Sequence, residues 1–138
     1  MPSDEAPGSA PPLTDQALLD AVTEAMVALH ERYHHRKPAT AKTQLLGDDL
    51  LVCILGGVYT DVEKTMIEMQ KRTVVQETRS DFQEAMQHKF IEAVERPSGR
   101  QVMAFTSNSH VGPDIEMEIF MLAPPESVAG QSSESPAA

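Results

Sequence analysis

Cysteine is nearly absent from this sequence, which has one among 138 residues. That residue, Cys53, cannot form a disulfide within the chain, and its place in the apolar run LLVCIL predicts a small buried hydrophobe. A chain of this length can bury a core without disulfides or metals. We therefore expect one domain in a reducing compartment, the cytoplasm.

Basic side chains are also scarce. The chain has 11 Lys and Arg against 21 Asp and Glu, a formal net charge of -10. Nucleic acids are bound through clustered Lys and Arg, so we expect no nucleic-acid partner. The longest apolar run, Leu50 to Leu55, is shorter than the about 20 residues of a membrane helix, and MPSDEAPGSAPP lacks the features of a secretory signal. We expect no direct membrane insertion.

Both ends of the chain are rich in Pro, Ser, Gly and Ala. Residues 1–12 and 124–138 contain almost nothing that burial would stabilise, so we predict disordered tails. A single domain is predicted between them, over residues 13–123.

Helical periodicity marks two regions of that domain. Apolar residues recur at three- and four-residue steps after Thr14, and Pro38 sets the latest end of this first helix. Thr60 and Glu63 form a capping box, which predicts a short helix from Asp61 to about Arg72. A longer helical pattern follows and stops at RPSG, but periodicity does not decide whether the two are separate helices. The apolar positions of this pattern are Val75, Phe82, Met86, Phe90 and Val94.

Two hairpins are predicted around these helices. In AKTQLLGDDLLVCILGG, the turn residues GDD separate a polar strand from one that is apolar on both faces and therefore central. RQVMAFTS, with bulky residues at Met103 and Phe105, and the alternating IEMEIFML form the second hairpin. The fold class is α+β, with an antiparallel four-stranded sheet and helices on one face, in the order α-β-β-α(α)-β-β.

A two-layer fold leaves one sheet face uncovered. We predict that the open face carries the apolar end of the last strand together with the middle strand, because two or three helices cover only one face. Large exposed apolar patches are rare in monomers, which favours a homodimer or a docked partner. The alternative is that the helices wrap further around the sheet. The predicted partner surface is Leu51, Cys53, Leu55, Phe120 and Leu122.

The string HERYH matches the H-E-x-x-H signature of zinc proteases. On a helix His30 and His34 share a face, with Glu31 as general base. A third ligand is missing from the pattern, and Lys37 stands where one zinc-protease class has a glycine. A polar helix end explains the string as well, because such side chains complement the exposed carbonyls.

The same helix end offers an anion site. His34, His35, Arg36 and Lys37 form a cationic cluster that a bicarbonate or another small anion would fit.

A cation site is the third candidate. Asp114, Glu116 and Glu118 place carboxylates on one side of a strand, where they could gather Na⁺ or Ca²⁺. Solvated strand faces show the same pattern, so both interpretations stay open.

Several segments together resemble the MpsC-like family, formerly a domain of unknown function. The resemblance covers nearly all of residues 13–123. It lies in DDLLVCILGGVYTDVEK and in FIEAVERPSGRQVMAFTSNSHVGPDIEMEIFML, including the Thr-x-x-Glu-Lys helix start, Glu95-x-x-x-Gly99-Arg100 and Pro113-Asp114. The sequence departs from the family at HRKP, where relatives tend to have Gly-Arg-Gly-Pro.

The resemblance implies a small cytosolic component of a Na⁺-translocating, membrane-potential-generating system, which in bacteria is linked to bicarbonate or CO₂ supply. The family has no established catalytic residues, so the resemblance assigns none to this chain, and we expect no cofactor. We therefore expect a non-enzymatic accessory or regulatory protein that self-associates and binds a partner such as a transporter subunit. A zinc-dependent hydrolase and a small-anion sensor are the alternatives.

Overall fold

The structure of the protein is a computed structural model that describes residues 11–125. Within that range the elements follow the order α-β-β-α-α-α-β-β. The predicted tails lie mostly outside it, since residues 1–10 and 126–138 are not described. The elements are α1 (Asp15–His34), β1 (Thr40–Leu46), β2 (Leu50–Gly56), α2 (Asp61–Glu68), α3 (Arg72–Ala85), α4 (Gln87–Ser98), β3 (Val102–His110) and β4 (Ile115–Leu122).

The strands form one antiparallel sheet in the order β1-β2-β4-β3. This confirms the predicted α+β class and the inner position of β2. Both hairpins are present, and β4 returns beside β2 because the helical segment carries the chain across the sheet.

All four helices described lie on the same side of the sheet, where α1, α3 and α4 contact the strands and α2 packs on α3. Leu18, Val22 and Met26 of α1 are buried at the predicted spacing, where α1 lies over β1 and β2. Val75 of α3 and Val94 of α4 join the same core. The helices do not wrap around to the second face, so the described fold has two layers.

The helix boundaries refine the sequence prediction. Thr60 and Glu63 form the expected capping box at the start of α2, but α2 ends at Glu68, before the predicted Arg72. The long helical pattern divides into α3 and α4 at Met86, which periodicity could not show because both helices bury the same side. Gly99, with φ of 67°, ends α4 in the left-handed conformation that favours glycine.

One strand position was predicted wrongly. Met103 was expected beside Phe105 as a bulky strand residue, but it is 63% exposed. The pairing of β3 with β4 shifts register between Val102 and Ala104, so Met103 is the extra residue of a β-bulge. Val102 and Phe105 pack on the core instead.

Candidate functional site

The face of the sheet that carries no helix is a stripe of apolar side chains with polar margins. Strand alternation places every second residue on this face, and the cross-strand partners of β2 and β4 meet along its centre. Lys42 and Gln44 of β1 and Thr106 and Asn108 of β3 flank them on the two outer strands. The central pairs are Leu50 with Met121, Val52 with Ile119, and Ile54 with Met117.

The predicted partner surface is therefore wrong, because it names the opposite face. Its five residues are at most 2% exposed and form the core beneath the helices. In β4 each of the two sets of alternate residues contains apolar side chains. Strand alternation alone therefore allows either set to face the helices. The wrongly placed residues are Leu51, Cys53, Leu55, Phe120 and Leu122.

Charge distinguishes the open face from the rest of the molecule. The strands present no acidic side chain there, although the chain has 21 Asp and Glu. Lys42 is the only Lys or Arg that they contribute. The glutamates of β4 point to the helices, so the open face is nearly neutral on a strongly acidic protein.

The inward glutamates of β4 belong to a buried ionic network centred on Arg79 of α3. Arg79 is 2% exposed. Its guanidinium donates two hydrogen bonds to Glu63, of 2.6 and 2.8 Å, and one of 2.8 Å to Oε1 of Glu116. It also donates to the Val58 carbonyl at 2.9 Å and lies over the Tyr59 ring, 4.9 Å from the centroid. One side chain thus joins α2, α3, β4 and the loop after β2.

A second carboxyl group, Glu118, lies beside this network without a cation of its own. Gln83 donates through Nε2 to Glu116, and the same nitrogen is 3.5 Å from Glu118 Oε2. Burial, followed by the charge of Glu116, raises the pKa of Glu118 well above its usual value. Three buried oxygens lack a hydrogen-bond partner among residues 11–125, and they are Gln83 Oε1, Ser107 Oγ and Glu118 Oε1.

The three carboxylates predicted as a cation site, Asp114, Glu116 and Glu118, do not form an exposed row on β4. Glu116 and Glu118 are fully buried, and Glu116 is paired with Arg79. Asp114 instead accepts hydrogen bonds from the backbone N–H groups of Val58 and Tyr59, at 2.9 and 3.1 Å. Glu116 and Glu118 share the Gln83 amide in the core, whereas Asp114 holds the loop after β2 against β4.

The histidines of the zinc-like string contact each other and the core. The rings of His30 and His34 lie 4.5 Å apart, and His34 also packs on Phe82, at 4.7 Å. Burial lowers the pKa of each histidine to about 4, so both are neutral at physiological pH. No group of three or more His, Cys, Asp or Glu within residues 11–125 could hold a metal ion, so the structure supplies no third ligand.

The predicted anion cluster does not converge. His34 is half-buried against Phe82, whereas His35 and Lys37 are exposed. Arg36 donates through Nε to the Gly57 carbonyl at 3.4 Å. The neutral state of His34 removes one of the expected positive charges.

Sequence reasoning missed Arg79 and Gln83, the two residues that organise the buried network. A signal was present, since Val75, Arg79 and Gln83 follow at four-residue steps on one helix face. Glu116 and Glu118 alternate in phase with Phe120, so burying the aromatic ring also buries both carboxyls. Such carboxyls require a cation or protons, and an in-phase arginine is the partner to expect.

Comparison with known families gives one match. The family described as "Na+-translocating membrane potential-generating system (MpsC)" matches residues 14–124, a range that contains every described helix and strand. No match is found among curated proteins or solved structures. No described helix is long and apolar enough to cross a membrane. The resemblance predicted from sequence motifs is thus confirmed, and the chain belongs to the MpsC family.

Proposed function

We propose that this protein is a non-enzymatic accessory component that acts as a homodimer, formed by pairing the open sheet faces of two copies. The observation that carries the proposal is the apolar stripe of β2 and β4, which no described helix covers. In this proposal the dimer serves the Na⁺-translocating, membrane-potential-generating system for which the family is named, on the cytoplasmic side of a membrane subunit; membership of the family supports this role.

Charge favours a second copy as the occupant of this face. Two molecules of net charge -10 repel each other, and repulsion is weakest where acidic groups are absent. The open face is such a place, since its strands contribute Lys42 and no Asp or Glu. A twofold axis through the centre would place Val52 and Ile119 of each copy against the same residues of the other.

The size of the face indicates a modest affinity. Strands of 7 residues at about 3.3 Å per residue, and four strands about 4.8 Å apart, give a projected area of roughly 440 Å². A standard interface buries roughly 800 Å² of accessible surface per partner, so this one is at the small end of specific complexes. Interfaces at the small end of this range are typical of weak or transient complexes, so we expect a dissociation constant on the order of micromolar.

A non-catalytic role fits the arrangement of the polar side chains. The carboxyls of β4 are engaged by Arg79 and Gln83 in the core, and His30 is buried and neutral. The bonds from Arg79 and Gln83 stabilise the association of α3 with β4. The protein therefore acts by binding other molecules through its surfaces.

Light scattering coupled to gel filtration tests the dimer on the full chain. The wild type should be dimeric at about 100 μM, a concentration sufficient for a micromolar interface. Ile119→Lys should be monomeric, because it places one charge from each copy near the twofold axis. Val62→Lys is the matched control, since Val62 is 70% exposed on α2, and it should remain dimeric.

A monomeric wild type at this concentration would refute the dimer. Equal loss of dimer in both variants would show that added charge, and not the open face, controls association. Co-purification of a membrane subunit with the tagged wild type from native membranes tests the accessory role separately.

A further inference from the structure

The outer surface of the helical layer contains a groove that the proposed dimer leaves free. It lies between α1 and α4 and has a volume of about 760 Å³. The Leu13 N–H donates to the Pro97 carbonyl at 2.8 Å, which places the start of α1 beside the end of α4. The two helices therefore run antiparallel along the groove.

Small apolar side chains form the floor. On α1, Ala21, Ala25 and Ala28 line the groove at steps of four and three residues, and Ala93 lines it from α4. This row is distinct from the core-facing row of α1, which begins at Leu18. Alanines allow close approach of another backbone, and no described element fills the space.

The rim is basic on a protein that is acidic elsewhere. Arg32, Lys89 and Arg96 line the groove together with one acid, Glu92. Arg96 forms an ion pair with Glu92, but Arg32 and Lys89 have no ion-pair partner among residues 11–125. Three of the 11 basic side chains of the chain therefore gather at one apolar groove.

The cations lie at both ends of the groove. Lys89 and Arg96 are seven residues apart, which is about 10 Å or two turns along α4. Arg32, near the end of α1, lies toward the Lys89 end, because the helices are antiparallel. A fatty acid has a single anionic group and matches one end only, whereas a helix with acids two turns apart matches both.

We propose that the groove between α1 and α4 docks an amphipathic helix of a partner protein, whose acidic side chains flank its apolar face. The groove is long enough for about three turns, since Ala21 and Arg32 are 11 residues apart on α1. This inference rests on the proposed accessory function and names the class of partner, but it does not depend on dimer formation.

Fluorescence anisotropy with a designed peptide tests the proposal. The probe is a labelled helical peptide of about 15 residues, with leucines along one face and glutamates two turns apart beside them. The control peptide has lysine in place of each glutamate. The full-length wild type should bind the acidic peptide about tenfold more tightly than the basic one, and less tightly as salt is added.

Charge reversal at the groove supplies the structural control. Lys89→Glu with Arg96→Glu should weaken binding of the acidic peptide about tenfold, because two rim pairs become repulsive. Lys64→Glu with Arg72→Glu changes the net charge equally on α2 and α3, and should alter binding less than about twofold. These four side chains lie on helix surfaces, and circular dichroism should confirm that both variants fold.

Equal affinities for the two peptides, or equal effects of the two double variants, would overturn the proposal. So would binding of sodium laurate that depends on Lys89 and Arg96 while the acidic peptide does not bind, since the groove would then take a fatty acid. Light scattering of the same samples separates this result from the dimer, because none of the substitutions lies on the sheet.

Discussion

Replacing Arg79 with methionine should destabilise the fold more than any surface substitution. Methionine roughly keeps the side-chain volume but removes the charge and every donor. Arg79→Met leaves Glu116, which is fully buried, without a counter-ion, and it takes two donors from Glu63. It also leaves the Val58 carbonyl without its arginine donor.

The magnitude follows from the burial of the pair. Removing one partner of a buried ion pair costs about 3 to 5 kcal/mol, because the remaining charge is desolvated and uncompensated. Small domains have a free energy of unfolding of about 5 to 15 kcal/mol, so the variant should fold but be markedly less stable.

A double-mutant cycle isolates the interaction. Glu116→Gln removes the second charge, and the combined variant should be less destabilised than the sum of the two single variants by about 2 to 3 kcal/mol. Guanidinium denaturation followed by circular dichroism measures all four proteins. The cycle is valid only where all four proteins show single cooperative transitions.

Two results would refute the reasoning. If the free energy of unfolding of Arg79→Met lies within about 1 kcal/mol of the wild-type value, the network does not hold α3 to β4. If the two substitutions are additive, Arg79 and Glu116 do not interact energetically.

Two further predictions concern titration of buried groups. The folded-state pKa of His30 is lowered to about 4 from 6.5, so the unfolded chain binds more protons between these values and stability falls as the pH drops through that window. Between about pH 7 and pH 5, the free energy of unfolding of His30→Leu should fall by roughly 2 kcal/mol less than that of the wild type, as measured by chemical denaturation. The same pH dependence in both proteins would contradict this. The pKa of Glu118 is raised in the folded protein, so its contribution to stability declines as the pH rises above the ordinary value of 4.5. Glu118→Gln cannot ionise, and its stability relative to wild type should therefore increase with pH; a constant difference across pH would show that Glu118 does not hold a proton.

Local signals in the sequence predicted most of the secondary structure. The capping box at Thr60 and Glu63 placed the start of α2, because both backbone donors are satisfied within one turn. The apolar spacing from Leu18 placed the buried side of α1. The break at Met86 and the bulge at Met103 escaped prediction, since neither involves proline or glycine and both depend on packing against other elements.

The existence of an uncovered sheet face was predicted correctly, but the wrong face of the sheet was assigned to it. An uncovered apolar sheet face was expected and is present, but its residues are those expected inside. The decision between the two faces of β4 depends on Arg79, which lies more than thirty positions earlier in the chain and offers Glu116 a buried counter-charge. No pattern within β4 contains that information.

The sequence by itself determined the composition of the layers: an amphipathic first helix, two hairpins, and an excess of apolar strand surface over what the helices cover. These features follow from local periodicity and turn chemistry, which act over a few residues. Only the tertiary structure decided which face of the sheet is open, and that α1 and α4 enclose a basic groove. Both outcomes depend on contacts between distant segments, where burial of a charge is tolerated only if its partner arrives from elsewhere in the chain.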